Sequence, residues 1–128
     1  MSIADNISKL KSELDTINVT FVAVSKTKPV EDIEQAYAAG QRIFGENTVQ
    51  ELADKYEKLP KDIQWHLLGH LQSNKVKYIA PFVSLIQSVD SLKLLQEIDK
   101  HALKNNRVID CLLQIYICLL YTSDAADE

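Results

Sequence analysis

Five short apolar stretches, at residues 19–25, 43–45, 64–69, 83–89 and 108–117, alternate with amphipathic helical patterns, and this alternation limits the chain to few folds. Strands separated by helices of roughly 10 to 15 residues predict right-handed crossovers and a parallel sheet. The first stretch, VTFVAVS, is apolar on both parities, as a strand covered on both faces should be. Two architectures fit four and a half strand-helix units behind an N-terminal helix. A five-stranded flavodoxin-like open sheet would be complete at this length, whereas a (β/α)8 TIM-type barrel, roughly 250 residues long, would be cut near its middle.

Periodicity places the helices. Ile3, Ile7, Leu10, Leu14 and Ile17 form one stripe, with Ser2 and Asp5 spaced as a capping box. Pro29 opens a second helix bearing Ile33, Ala36 and Tyr37, which Gly40 ends. A third carries Val49, Leu52, Ala53, Tyr56 and Leu59 and stops at Pro60, with Asn47 read as its cap through Gln50 three residues on. Ser73 caps a fourth bearing Val76, Ile79 and Ala80. Asp90 and Ser91 lead into a fifth bearing Leu92, Leu95, Ile98, Ala102 and Leu103.

Composition excludes several classes. With 128 residues, 46% of them hydrophobic, the chain can bury one core. Lysines are scattered and the net charge is −4, so no nucleic-acid surface is indicated. No apolar run approaches the roughly 20 residues of a membrane span and no charged-then-apolar leader opens the chain, so a cytoplasmic protein is expected. Cys111 and Cys118 share one apolar stretch without metal-ligand spacing. The last eleven residues, CLLYTSDAADE, resemble translated transposon-adapter sequence and are set aside, leaving residues 1–117 as the body of the fold. Removing Asp124, Asp127 and Glu128 leaves 15 of the 18 acids against 14 bases, a body near −1. A read-through tail implies missing sequence and favours the incomplete barrel.

In either architecture the C-terminal strand ends form one rim, where Ser25, Lys26, Lys28, Glu46, Asn47, Gly69, His70, Gln72, Asn74, Gln87, Ser88 and Asp90 gather. The opposite ends (Asn18, Gln41, Asp62) carry no comparable cluster. A lysine buried at a strand end loses hydration, and Lys28 nearby would favour the neutral amine of Lys26, a nucleophile able to form a Schiff base with an aldehyde. Against this stands snorkelling of Lys26 from the rim to water. Alternation puts Lys26 on the side of Val22 and Val24 if Ser25 faces the helices. His66, beside Trp65 within a strand, reads first as a packed core histidine. Gly40, Gly45 and Gly69 match no phosphate-loop spacing.

Three stretches, VAVSKTKP at residues 22–29, FGENTVQE at 44–51 and WHLLGHLQSNK at 65–75, resemble the YggS-type pyridoxal-phosphate homeostasis proteins, whose fold is like the barrel domain of alanine racemase. The resemblance runs from the first helix to about residue 117. It implies pyridoxal 5'-phosphate held as a Schiff base on Lys26, with Lys28, Asn47, His66, Gln72 and Asn74 near the cofactor. It further implies intracellular cofactor homeostasis without turnover, delivery to pyridoxal-phosphate-dependent apo-enzymes, and a monomeric full-length parent. In that family the phosphate-holding groups come from the last strands, so this 128-residue chain is expected to bind more weakly than a whole member. Two other readings of Lys26 stay open: a pyridoxal-phosphate enzyme such as a racemase, and a cofactor-free Schiff-base lyase.

Overall fold

Strand order decides between the two architectures. In the computed structural model, which describes residues 2–115 and 117, five parallel strands lie side by side in the order β1-β2-β3-β4-β5. A flavodoxin-like sheet would place its second strand outside the first, so consecutive order is that of a barrel wall. The elements are α1 (Ile3–Leu14), β1 (Ala23–Val24), α2 (Val30–Ala38), β2 (Ile43–Glu46), α3 (Val49–Lys58), β3 (Gln64–Leu67), a 3₁₀ turn (Ser73–Lys75), α4 (Val76–Ile79), β4 (Leu85–Val89), α5 (Leu92–Lys104) and β5 (Asp110–Leu113). Among the described residues β1 and β5 remain the two edges.

Register explains the core. Ala23 lies opposite Phe44, and Phe44 opposite Trp65, so these side chains share the helix-facing side. The Phe44 and Trp65 rings meet with centroids 5.9 Å apart, and Trp65, Leu52, Leu67, Ile79 and Ile86 are fully buried beneath the helices. Each such burial contributes about 1.5 to 3 kcal/mol. The other parity, Val22, Ile43, Gln64, His66, Leu85, Gln87 and Asp110, lines a concave hollow of about 420 Å³.

Several local expectations are corrected. Thr48, not Asn47, caps α3: its hydroxyl accepts the Glu51 N–H at 3.2 Å, one residue later than the Asn-Gln spacing implied. Ser91, not Asp90, caps α5 by accepting the Leu94 N–H at 3.1 Å. Ser73 caps nothing, because the chain enters a 3₁₀ turn there before the single turn of α4. In α5 the buried residues are Leu94, Ile98 and Ala102, each four apart, which leaves Leu92 and Leu103 outside. The α1 stripe is only partly covered, since α1 packs mainly on α2; Ile7 is buried while Leu10 and Ile17 are exposed. Both edge strands are shorter than their apolar runs, and Val24 is 56% exposed rather than covered on both faces. The adapter-like residues 118–128 lie outside the described residues.

Candidate functional site

Past Val24 the chain leaves the ladder in a tight turn. Ser25 N–H still donates to Gly45 O at 2.9 Å, then Lys28 N–H returns to Ser25 O at 3.1 Å. Thr27, third in this turn, has φ +63°, the left-handed conformation that turns with a positive third residue require and that a β-branched side chain disfavours. Lys26 is therefore second in the turn and exposed, not desolvated as a buried strand end would make it. Its neighbour Ser25 is buried toward the helices, and Lys26 lies in the turn beyond the strand, where alternation no longer assigns a side.

Behind the turn sits a charged cluster. Glu46, fully buried on β2, accepts a hydrogen bond from the Ser25 hydroxyl and another from Lys55 Nζ at 2.9 Å. Lys55, itself buried, also donates to Ser25 O at 2.8 Å and to Glu51 Oε2 at 3.0 Å, and Glu51 accepts the Thr27 N–H at 2.9 Å. Burial raises the Glu46 pKa, against the lowering effect of Ser25 and Lys55. The Thr27 N–H, then Lys55, lower that of Glu51. Sequence reading missed Glu51 and Lys55. The signal was present, because Lys55 sits three residues after Leu52 and four before Leu59, on the buried stripe of α3.

The other candidates occupy separate places. Lys28 lines a cleft of about 260 Å³ between α1 and α2, together with Ile7 and Asp32. Asn47, exposed after β2, lies against Gly69, where an added Cβ would come within 2.1 Å of Asn47 O; this contact of strand ends is why Gly69 must lack a side chain. His66 is buried on the concave side with Nδ1 3.3 Å from Gln87 Nε2, and burial lowers its pKa. Gln72, with His70 and Lys75, lines an outer groove of about 610 Å³ along the start of α3, and Asn74 is exposed on the 3₁₀ turn. At the opposite rim Gln41 is buried and donates to Phe21 O and Ile43 O at 2.9 and 2.7 Å, while Arg42 pairs with Asp62 at 3.3 Å. Those polar groups are used in holding strands together.

The chain is thus a stretch of parallel (β/α) barrel wall carrying an exposed amine at the end of its first strand. It belongs to the family described as alanine racemase, N-terminal domain, whose profile matches residues 1–118. The pyridoxal phosphate homeostasis protein of Aquifex aeolicus is 46% identical over 97 residues, covering 75% of this chain and 42% of that protein. The protein of the same name from Schizosaccharomyces pombe is 48% identical over 88 residues, 67% of this chain and 37% of the relative. The structure of PipY from Synechococcus elongatus with PLP bound superposes with a TM-score of 0.83 at 42% identity, over 92% of this chain and 56% of PipY. This chain therefore spans about half the length of the proteins it resembles.

The described residues fit one end of a pyridoxal-type cofactor. Lys26 offers an unburied primary amine for the aldehyde. They offer no glycine cradle for the phosphate: Gly69 packs on Asn47, a Cβ on Gly45 would meet Leu68 at 2.7 Å, and Gly40 terminates α2 at the opposite end of the sheet.

Proposed function

We propose that this chain holds pyridoxal 5'-phosphate through Lys26 without turning over a substrate, as part of a cytoplasmic protein that passes the cofactor to apo-enzymes that need it. When bound, the cofactor supplies an aldehyde carbon that an amine captures reversibly with loss of water. Lys26 supplies that amine. The observation that supports the reading is an exposed lysine just past the C-terminal end of the first strand, in a turn whose flanking backbone groups are both bonded to buried or half-buried ionic side chains. Lys28 faces a different cleft and adds positive charge near the turn, a supporting role. Asn47 and His66 are the members of the candidate set nearest the concave side by strand position, while Gln72 and Asn74 stand on the following turn.

The reading without turnover is supported by the curated relatives, which are named homeostasis proteins. Racemisation needs a proton acceptor on one face of a planar intermediate and a donor on the other. Among the described residues the groups that could serve as acid or base are His66, buried and bonded to Gln87, Asp110 in the same concave hollow, and the Lys26 amine. An absorbance titration with pyridoxal phosphate, followed by an assay for conversion of L-alanine to the D form, tests the proposal. Long-wavelength absorbance that disappears in Lys26→Ala, with L-alanine unchanged, is the expected result. Absorbance that persists in Lys26→Ala, or D-alanine production that depends on Lys26, would contradict it.

A further inference from the structure

We propose that Lys55, acting with Glu51, is a positioning residue that fixes the turn on both sides of Lys26 and so directs the Lys26 amine, rather than that of Lys28, to the cofactor aldehyde. The inference rests on the reading of Lys26 as the anchor. Lys55 Nζ reaches the carbonyl immediately before Lys26, Ser25 O, at 2.8 Å. The same ammonium holds Glu51 at 3.0 Å, and Glu51 holds the amide immediately after Lys26, Thr27 N–H, at 2.9 Å. One buried cation therefore ties down the peptide groups flanking the reactive residue.

Two observations set this cluster apart from ordinary core packing. Thr27 stands at φ +63°, a conformation that a β-branched residue keeps only when its surroundings impose it, and the Glu51 bond holds it, together with the Lys28 N–H to Ser25 O bond that closes the turn. Glu46 Oε1 is buried without a hydrogen-bond partner, so the ionic cluster is not closed as one serving stability alone would be. An apolar side chain in place of a buried ion pair is commonly as stable or more so. What an apolar side chain at residue 55 could not do is hold Ser25 O and Glu51 at once.

The test follows two quantities in the full chain and its variants. Hydrogen exchange reports the Thr27 N–H directly and needs no cofactor. Borohydride reduction after addition of pyridoxal phosphate, followed by peptide mapping, gives the ratio of label at Lys26 to label at Lys28. Because both lysines lie in one molecule, the ratio is independent of protein amount and labelling yield, and it is compared only among variants that circular dichroism shows to be folded. In Lys55→Met the ratio should fall about tenfold and Thr27 exchange should quicken by a similar factor, the equivalent of one charge-assisted hydrogen bond. Lys55→Arg should restore most of both, since a guanidinium can still bridge a carbonyl and a carboxylate. Glu51→Ala leaves the buried Glu46–Lys55 pair in place, so it supplies the answer even if Lys55→Met does not fold, and it should move both quantities in the same direction. Folded variants that keep the wild-type ratio and the wild-type Thr27 exchange overturn the proposal. If the unmodified chain labels Lys26 no more than its other lysines while Glu51→Ala still frees the Thr27 amide, the anchor reading fails and the clamp stands. If Lys26 is preferred and neither variant alters that preference, the anchor stands and the clamp fails.

Discussion

At the end of β1, Ser25 turns inward to a buried cluster with Glu46 and Lys55, whereas Lys26, the next residue, stands exposed in the turn that follows. The same division runs across the fold. The helix-facing side holds Phe44, Trp65, Leu67 and Ile86 at full burial, while the other parity presents Gln64, His66, Gln87 and Asp110 around a hollow and leaves Val24 and Leu112 exposed. Alternation at a period of two forces the split: when one parity packs on helices, the other must face whatever lies opposite. Stability is therefore concentrated on one face, and free chemical groups on the other.

The comparison breaks most severely in the core. Trp65→Ala should cost about 3 to 5 kcal/mol, the range for a fully buried large aromatic, whereas Val24→Ala on the concave side should change stability by less than about 0.5 kcal/mol. Urea unfolding of the two variants measures the difference directly. Equal losses would mean that the concave face is packed in solution.

Next in size is the charged cluster behind Lys26. Lys55→Met leaves Glu46 buried beside an apolar chain and should cost about 3 kcal/mol, while Lys26→Met should stay within about 0.5 kcal/mol. Adding Glu46→Gln to Lys55→Met should recover part of the loss, since the stranded charge is then gone. A double variant less stable than Lys55→Met alone would show that Glu46 is not stranded by loss of the lysine.

Smaller effects separate the faces by pH. His66 on the concave side has its pKa held below the ordinary 6.5 by burial, so it favours the fold fully above pH 6.5 and its contribution is lost as pH falls through the lowered folded value. Glu46 on the helix side acts with opposite sign: burial raises its pKa above the ordinary 4.5, so its contribution is full below 4.5 and is lost as pH rises through the raised folded value. Glu51, lowered by the Thr27 N–H and Lys55, contributes above 4.5 and less as pH falls below it. Urea midpoints at several pH values between 7.5 and 5 should fall on acidification, and His66→Gln should flatten or reverse that slope. An unchanged slope in His66→Gln would remove His66 from the account.

The smallest expected effects distinguish capping from ligand contact at adjacent residues. Thr48→Ala should lower stability by about 1 kcal/mol through loss of the α3 cap, whereas Asn47→Ala should stay within about 0.5 kcal/mol while weakening cofactor capture. Thermal melts and the absorbance titration read the two consequences separately.

Much of the fold was legible because burial leaves periodic traces. Residues 43–45 read as a strand and lie within β2, whereas of 19–25 only Ala23–Val24 is strand; Leu52, Val76, Ile79 and Ile98 read as inward-facing because each helix shows the sheet one stripe. The misreadings are local. Asn47 and Thr48 are both competent caps, and only the backbone path of residues 46–49 selects Thr48. The rim residues could be listed from strand ends, but not sorted: Lys26, Lys28, Asn47, His66 and Gln72 point into different spaces, which depends on turn geometry absent from any period-two pattern. Glu51 and Lys55 were passed over because charged residues on a helix are ordinarily solvated, and the buried position of Lys55 on the α3 stripe went unweighed.

The central claim is that Lys26, exposed in the turn after β1, is the group that takes the cofactor, while the buried cluster of the closed face holds that turn in place. Peptide mapping after borohydride reduction of the chain with limiting pyridoxal phosphate tests this most directly. The account expects the reduced label to concentrate on Lys26, ahead of Lys28 and well ahead of surface lysines such as Lys93 and Lys100. Label spread evenly over the exposed lysines, or concentrated on Lys28, would contradict it.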